Sequence, residues 1–252
     1  MREQPEQQAP PVQRLRVRYA KRGRLRFSSH RDFSRVFERA VARARIPMAW
    51  SSGFHPHPRI SYAGAAPTGA ASEAEYLEIG LAEVSDPAAV RAALADSLPD
   101  GLDVLEVVES PGGALAPLLE ASVWRVALPG ALDRGTVAGA VAAFLAREEV
   151  LVERVTKRGP RTFDARAAVV SLEVVPPEVA GTGAGSGAES GAGCGLALVL
   201  RHTEPAVRAE DVLSGLRTAS GADLGPRPLL TRLAQGPLRE DGSVADPLAA
   251  SE

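Results

Sequence analysis

"RLRVRYAKRGRLRFSSHRDFSRVFERAVARAR", residues 14–45, holds two periodicities in succession, and the switch between them sets the fold. Over residues 14–20 the period is two. Leu15, Val17 and Tyr19 fall on one side and Arg14, Arg16 and Arg18 on the other, the pattern of a half-buried strand with a basic outer face. "KRGR" turns the chain, and "LRF" continues it briefly in extended form. From Ser29 the period becomes helical. Ser29 with Asp32 three residues on has the form of a capping box, and Phe33, Val36, Phe37, Ala40, Val41 and Ala44 make an apolar stripe. Arg31, Arg35, Arg39 and Arg43 form another stripe of the same helix, which Pro47 stops. Strand and helix each bury one face and offer arginine on another.

Working outward, residues 51–72 are rich in turn formers around one short strand, "RISYA". An alternating strand "AEYLEIGLA" (74–82), a helix "DPAAVRAALADSLP" (86–99) and a strand "GLDVLEVV" (101–108) follow. After a linker at 111–120 the order recurs. "SVWRVALP" is a strand, "DRGTVAGAVAAFLARE" a helix, "VLVERVTKR" and "ARAAVVSLEVV" strands, "RAEDVLSGLRTAS" a helix and "RPLLTRLAQ" a final strand. "EVAGTGAGSGAESGAGCG" (178–195) reads as a flexible insertion within a hairpin, since "LALVLRH" resumes as a strand; it fits no phosphate-loop pattern. Cys194 falls in this loop, which argues against a catalytic or ligand role. Both halves thus read strand, helix, strand, strand, helix, strand. The expected fold is α+β: two tandem ferredoxin-like (split βαβ) domains, residues 14–110 and 121–236, with antiparallel sheets covered by helices. Residues 1–13 and 237–252 read as disordered tails.

Composition narrows the class. The chain has 252 residues, 45% hydrophobic and 24% charged, which suits one large or two small globular domains. Aromatics are only 4%, so Ala, Val and Leu must build most of the core. Lysine occurs only at Lys21 and Lys157 among 29 basic residues, a bias better explained by coding composition than by a preference for phosphate. No apolar run is long enough to cross a bilayer, and "MREQPEQQAPPVQ" lacks the apolar centre of a secretory signal. A single cysteine excludes an internal disulfide framework and an iron–sulfur cluster held by this chain alone. A cytoplasmic protein without a cofactor of its own is expected. Charge is unevenly placed: residues 14–59 hold 13 Arg and Lys against 2 Asp and Glu, and the rest of the chain 16 against 29. Such polarity gives one face that attracts anions.

Three stretches, "FSSHRDF" (27–33), "GFHPHPRISYA" (53–63) and "PTGAASEAEYLEI" (67–79), resemble the radical-SAM-associated (radical-SAM-linked) domain, a bacterial family of unknown function. The resemblance covers residues 13–110 well and the second half mainly in layout. It implies a stand-alone partner or substrate-delivery protein of a radical S-adenosylmethionine enzyme, and it supplies no known reaction.

The candidate binding residues are Arg14, Arg16, Arg18, Arg24, Arg26, His30, Arg31, Arg35, Arg39, Arg43, Phe54, His55, His57 and Arg59. Diffuse positive charge over a strand and a helix suits RNA, tRNA or rRNA, because neutralised phosphates release counterions. A face that docks the radical-SAM partner without nucleic acid is the alternative. Tyr19, Phe27, Trp50, Phe54 and Tyr62 could stack bases but read mainly as core. His30, in the helix's first turn, can meet a phosphate, act as an acid–base group or lock the loop by a local hydrogen bond. His55 and His57, set between prolines, would project on one side of an extended segment. A free-standing enzyme using these histidines is the third reading, ranked last because no nucleophile, base and orienting group are visible together. No metal set completes around them. Glu73 and Glu75 share a strand face and are assigned to structural pairing with the arginines.

Overall fold

The computed structural model describes residues 7–128, 132–156, 159–176, 194–225 and 228–249. Within them the chain is α+β, with ten strands, each paired antiparallel with at least one neighbour, and four α-helices. The described residues up to Leu118, with those from Pro247 onward, form one compact unit, and Leu119–Asp246 form the other.

In the first unit the elements run β1 (Gln13–Lys21), α1 (His30–Arg43), β2 (Ile60–Ala63), β3 (Ala71–Leu81), α2 (Pro87–Ser97) and β4 (Leu102–Glu109). The strands lie in the order β4-β1-β3-β2. Leu15, Val17 and Tyr19 of β1 and Leu77, Ile79 and Leu81 of β3 face the helices and pack with Phe33, Phe37 and Val41 of α1 and Val90 and Leu94 of α2. Tyr19 stacks flat on Phe33, ring centroids 4.4 Å apart. The capping box at the start of α1 is present: the Ser29 hydroxyl accepts from the Asp32 N–H, and the Asp32 carboxylate accepts from the Ser29 N–H. "LRF" departs from its extended reading. Gly23–Phe27 forms a 3-10 turn, closed by the Leu25 N–H donating to Arg22 O. Residues 111–120 hold a further short 3-10 turn at Ala116–Leu118.

In the second unit the elements are β5 (Ala121–Ala127), α3 (Arg134–Leu145), β6 (Leu151–Thr156), β7 (Gly159–Asp164), β8 (Val169–Val175), β9 (Gly195–Arg201), α4 (Ala209–Ser220) and β10 (Leu229–Gly236). The sheet order is β10-β5-β9-β8. "VLVERVTKR", read as a strand of the domain, instead pairs with "GPRTFD" as a separate two-stranded ladder, β6 with β7, between α3 and β8. The glycine-rich segment lies outside the described residues except for its end. There Cys194 is buried 3.9 Å from the Leu132 carbonyl, and burial pushes its thiol pKa up, so its assignment to a flexible loop is corrected. Residues 237–246, whose composition reads as a tail, turn back on themselves: Leu238 bridges Val244, and the Ala245 N–H donates to Pro237 O.

Candidate functional site

The arginines of the first unit divide into two populations. Those of β1 lie on the sheet face opposite the helices, and β3 places acid beside them. Arg14 donates to Glu78 at 3.0 Å and Arg16 to the other oxygen of the same carboxylate at 3.4 Å, while the Ser110 hydroxyl donates to it at 2.8 Å. Arg16 is 2% exposed and also donates to the carbonyls of Gly112 and Gly113. Arg18 donates to the Glu73 carbonyl at 2.9 Å. Just beyond β1, Arg22 pairs with Glu73 and Asp103. The outward basic face expected for β1 is therefore narrowed: Arg14 stays exposed but paired, Arg18 is half-buried on a β3 carbonyl, and only Arg16 is closed to any partner. Glu75 is buried and accepts from the Ala66 N–H.

The arginines of α1 are placed otherwise. Phe33, Phe37, Ala40 and Val41 hold the helix to the sheet, which turns Arg31, Arg35 and Arg39 to solvent, where they form no ion pair among the described residues. Asp32, in the field of Arg35 and Arg31, is engaged in the cap; the Ser29 hydroxyl holds its carboxyl below the usual range. Arg43 is exposed and donates to Ser97 O at 3.2 Å. Arg24 is exposed, and the Arg26 guanidinium lies 4.6 Å over the Phe27 ring.

Between α1 and β2 the chain makes a pinned loop. The Ser51 N–H donates to His57 O at 2.8 Å and the His57 N–H returns to Ser51 Oγ at 2.9 Å. Arg59 Nε donates to Trp50 O. The stem crosses β3 closely at Gly80, where a Cβ would stand 3.0 Å from Pro11 and 3.3 Å from Arg59. At the tip, Gly53 has φ 128°, a conformation that side chains resist. Phe54, His55 and His57 are all exposed.

Tyr62, just past this loop, touches the start of α1. Its ring meets His30 edge-on at 4.8 Å and Phe33 at 5.9 Å, and burial raises its phenol pKa. The two most distinctive stretches, residues 27–33 and 53–63, therefore meet in space through His30 and Tyr62.

The aromatics of this segment also divide. Tyr19 fills core, but Phe27 is 60% exposed, Trp50 47% and Phe54 67%. Phe27, Trp50 and Phe54 are surface residues that sequence reasoning placed inside; the available signal was that none falls on the apolar stripe of α1. Among the described residues no group of three or more His, Cys, Asp or Glu is placed to hold a metal ion, and no helix is long and apolar enough to cross a membrane.

No curated protein matches the chain. One family model does, over residues 14–209: DUF2344, described as an uncharacterized protein conserved in bacteria. That span covers both stretches that meet at His30 and Tyr62 and most of the second unit, and the chain belongs to this bacterial family.

Proposed function

We propose that the chain is an RNA-binding accessory protein of a radical S-adenosylmethionine enzyme, built from two ferredoxin-like domains. The strand orders β4-β1-β3-β2 and β10-β5-β9-β8 support the fold: in each, the third strand lies between the first and second of the sheet, and the fourth lies beside the first. The link to a radical-SAM enzyme rests on the resemblance of residues 27–33, 53–63 and 67–79.

The observation that carries the RNA reading is the row Arg31, Arg35 and Arg39, which is exposed and outside every ion pair among the described residues. Phe27 at the entrance to that helix and Phe54 in the pinned loop add exposed rings. Cationic side chains that track a backbone, with aromatic faces that stack unpaired bases, are the pairing used for single-stranded RNA. The test is fluorescence anisotropy of the purified protein with tRNA and an rRNA fragment over a salt series. Binding that weakens steeply with salt is expected; no binding, or binding indifferent to salt, overturns the reading.

The exposure of Phe27, Trp50 and Phe54 also favours a second reading, in which they anchor the radical-SAM partner directly, as large aromatics do at interfaces. Co-purification with that partner after nuclease treatment, with no RNA affinity, selects it.

A further inference from the structure

The second unit holds a cleft that the RNA reading leaves unused. It measures about 530 Å3 and is lined by Arg154, Thr156, Arg161, Phe163, Pro205 and Arg208. The β6–β7 register pairs Arg154 directly with Arg161, and Val152 with Phe163, so all four side chains share one face of the hairpin. The face is apolar at Val152 and Phe163, both buried, and basic at the next pair. Like charges directly opposite across a ladder weaken it.

Among the described residues nothing offsets this fully. Arg154 is bonded to Asp211, donates to Ala206 O at 3.0 Å and lies 4.4 Å over the Phe163 ring, so it is fixed in place. Arg161 and Arg208 are exposed. Asp211 is committed to Arg154 and to the Arg208 N–H. Glu210 lies in the field of Arg208 and Arg154 but does not line the cleft. Counting both acids, the cluster keeps a positive excess. A local rule broken with only partial compensation among the described residues is the mark of a site shaped for a ligand.

We infer that this cleft binds a phosphate group. Arg154 forms the rigid wall, and Arg161 and Arg208 bring guanidinium forks that match phosphate oxygens. The phosphate belongs either to a small phosphorylated ligand or to an RNA backbone.

The test is the melting temperature of the full chain at low salt, with inorganic pyrophosphate and separately with a short single-stranded RNA. Wild type is stabilised by one or both. Arg161→Gln loses that response, binds the effective ligand about tenfold more weakly, and without anion melts no lower than wild type, because the cross-strand repulsion is gone. Arg161→Lys keeps part of the response. Stabilisation by pyrophosphate assigns a small phosphorylated ligand, and stabilisation by RNA alone, lost in Arg161→Gln, assigns the backbone. Changing Arg31, Arg35 and Arg39 to Gln leaves the pyrophosphate response intact, so the cleft and the RNA surface of the first unit fail independently. Equal responses of wild type and Arg161→Gln, or no response of wild type to either probe, overturn the inference.

Discussion

Strand β1 and helix α1 present arginines at regular spacing within one short stretch, and the fold treats them in opposite ways. In β1 every second residue is arginine, and the antiparallel neighbour β3 sets Glu78 opposite Arg16. Arg14 and Arg16 share that carboxylate, with Glu78 at 11% side-chain exposure and Arg16 at 3%. In α1 the partner elements meet the apolar stripe and, at the helix end, Arg43, and no described strand reaches round to Arg31, Arg35 or Arg39. A run of positive charge in a sequence is thus not yet a positive surface. A sheet brings a second side chain within bonding distance of each residue, whereas the outer face of a helix meets only water or a ligand.

This contrast can be broken or sharpened by mutation. Removing the shared carboxylate should have the largest effect. Glu78→Ala leaves two guanidinium groups against one another, one of them buried, and is expected to destabilise the first unit by about 3–5 kcal/mol, read as a lower urea midpoint. Glu73→Ala, which removes a partly exposed partner of Arg22, is expected to lower stability by less than about 1 kcal/mol; equal losses would erase the distinction. Ser29→Ala, which deletes the cap of α1, should follow at about 1 kcal/mol by the same measurement.

The cap also sets a pH dependence. The Ser29 hydroxyl holds the Asp32 carboxyl below its ordinary value of 3.8. A carboxyl lowered in the folded state adds stability above its unfolded pKa and loses it as pH falls through the folded value. Wild type should therefore lose stability more steeply than Ser29→Ala as pH falls below about 4, and thermal melts across that range check it. The smallest effect is expected where α1 faces water. Arg31, Arg35 and Arg39 changed together to Gln should leave stability within about 0.5 kcal/mol of wild type, and a larger loss would reveal pairing that the contrast denies.

Much of the first unit was legible in sequence because its signals are local. The alternation in residues 14–20, the Ser29–Asp32 cap and the stripe from Phe33 to Ala44 each report on a single element. What escaped was non-local. No pattern in "RLRVRYA" says that Glu78 will stand beside Arg16, since that depends on the register of a strand some sixty residues away. Phe27, Trp50 and Phe54 were assigned inward because aromatic residues usually are, although their places off the helical stripe argued otherwise. In the second unit "GPRTFD" was missed because it is short, polar and begins with Gly-Pro, a turn signal. Without it, β6 had no partner but the main sheet. The contact between His30 and Tyr62 joins two motifs legible separately, and only the fold brings them together.

The central claim is that charge is free on α1 and spent on β1. Its most direct test is the slope of log K against log salt for single-stranded RNA, measured on wild type, on Arg31/Arg35/Arg39→Gln and on Arg14→Gln. Each phosphate contact on a single strand contributes about 0.7 to that slope, so the triple change should reduce it by about 2, while Arg14→Gln leaves it unchanged. Equal slopes for all three proteins, or a reduction confined to Arg14→Gln, would contradict the account.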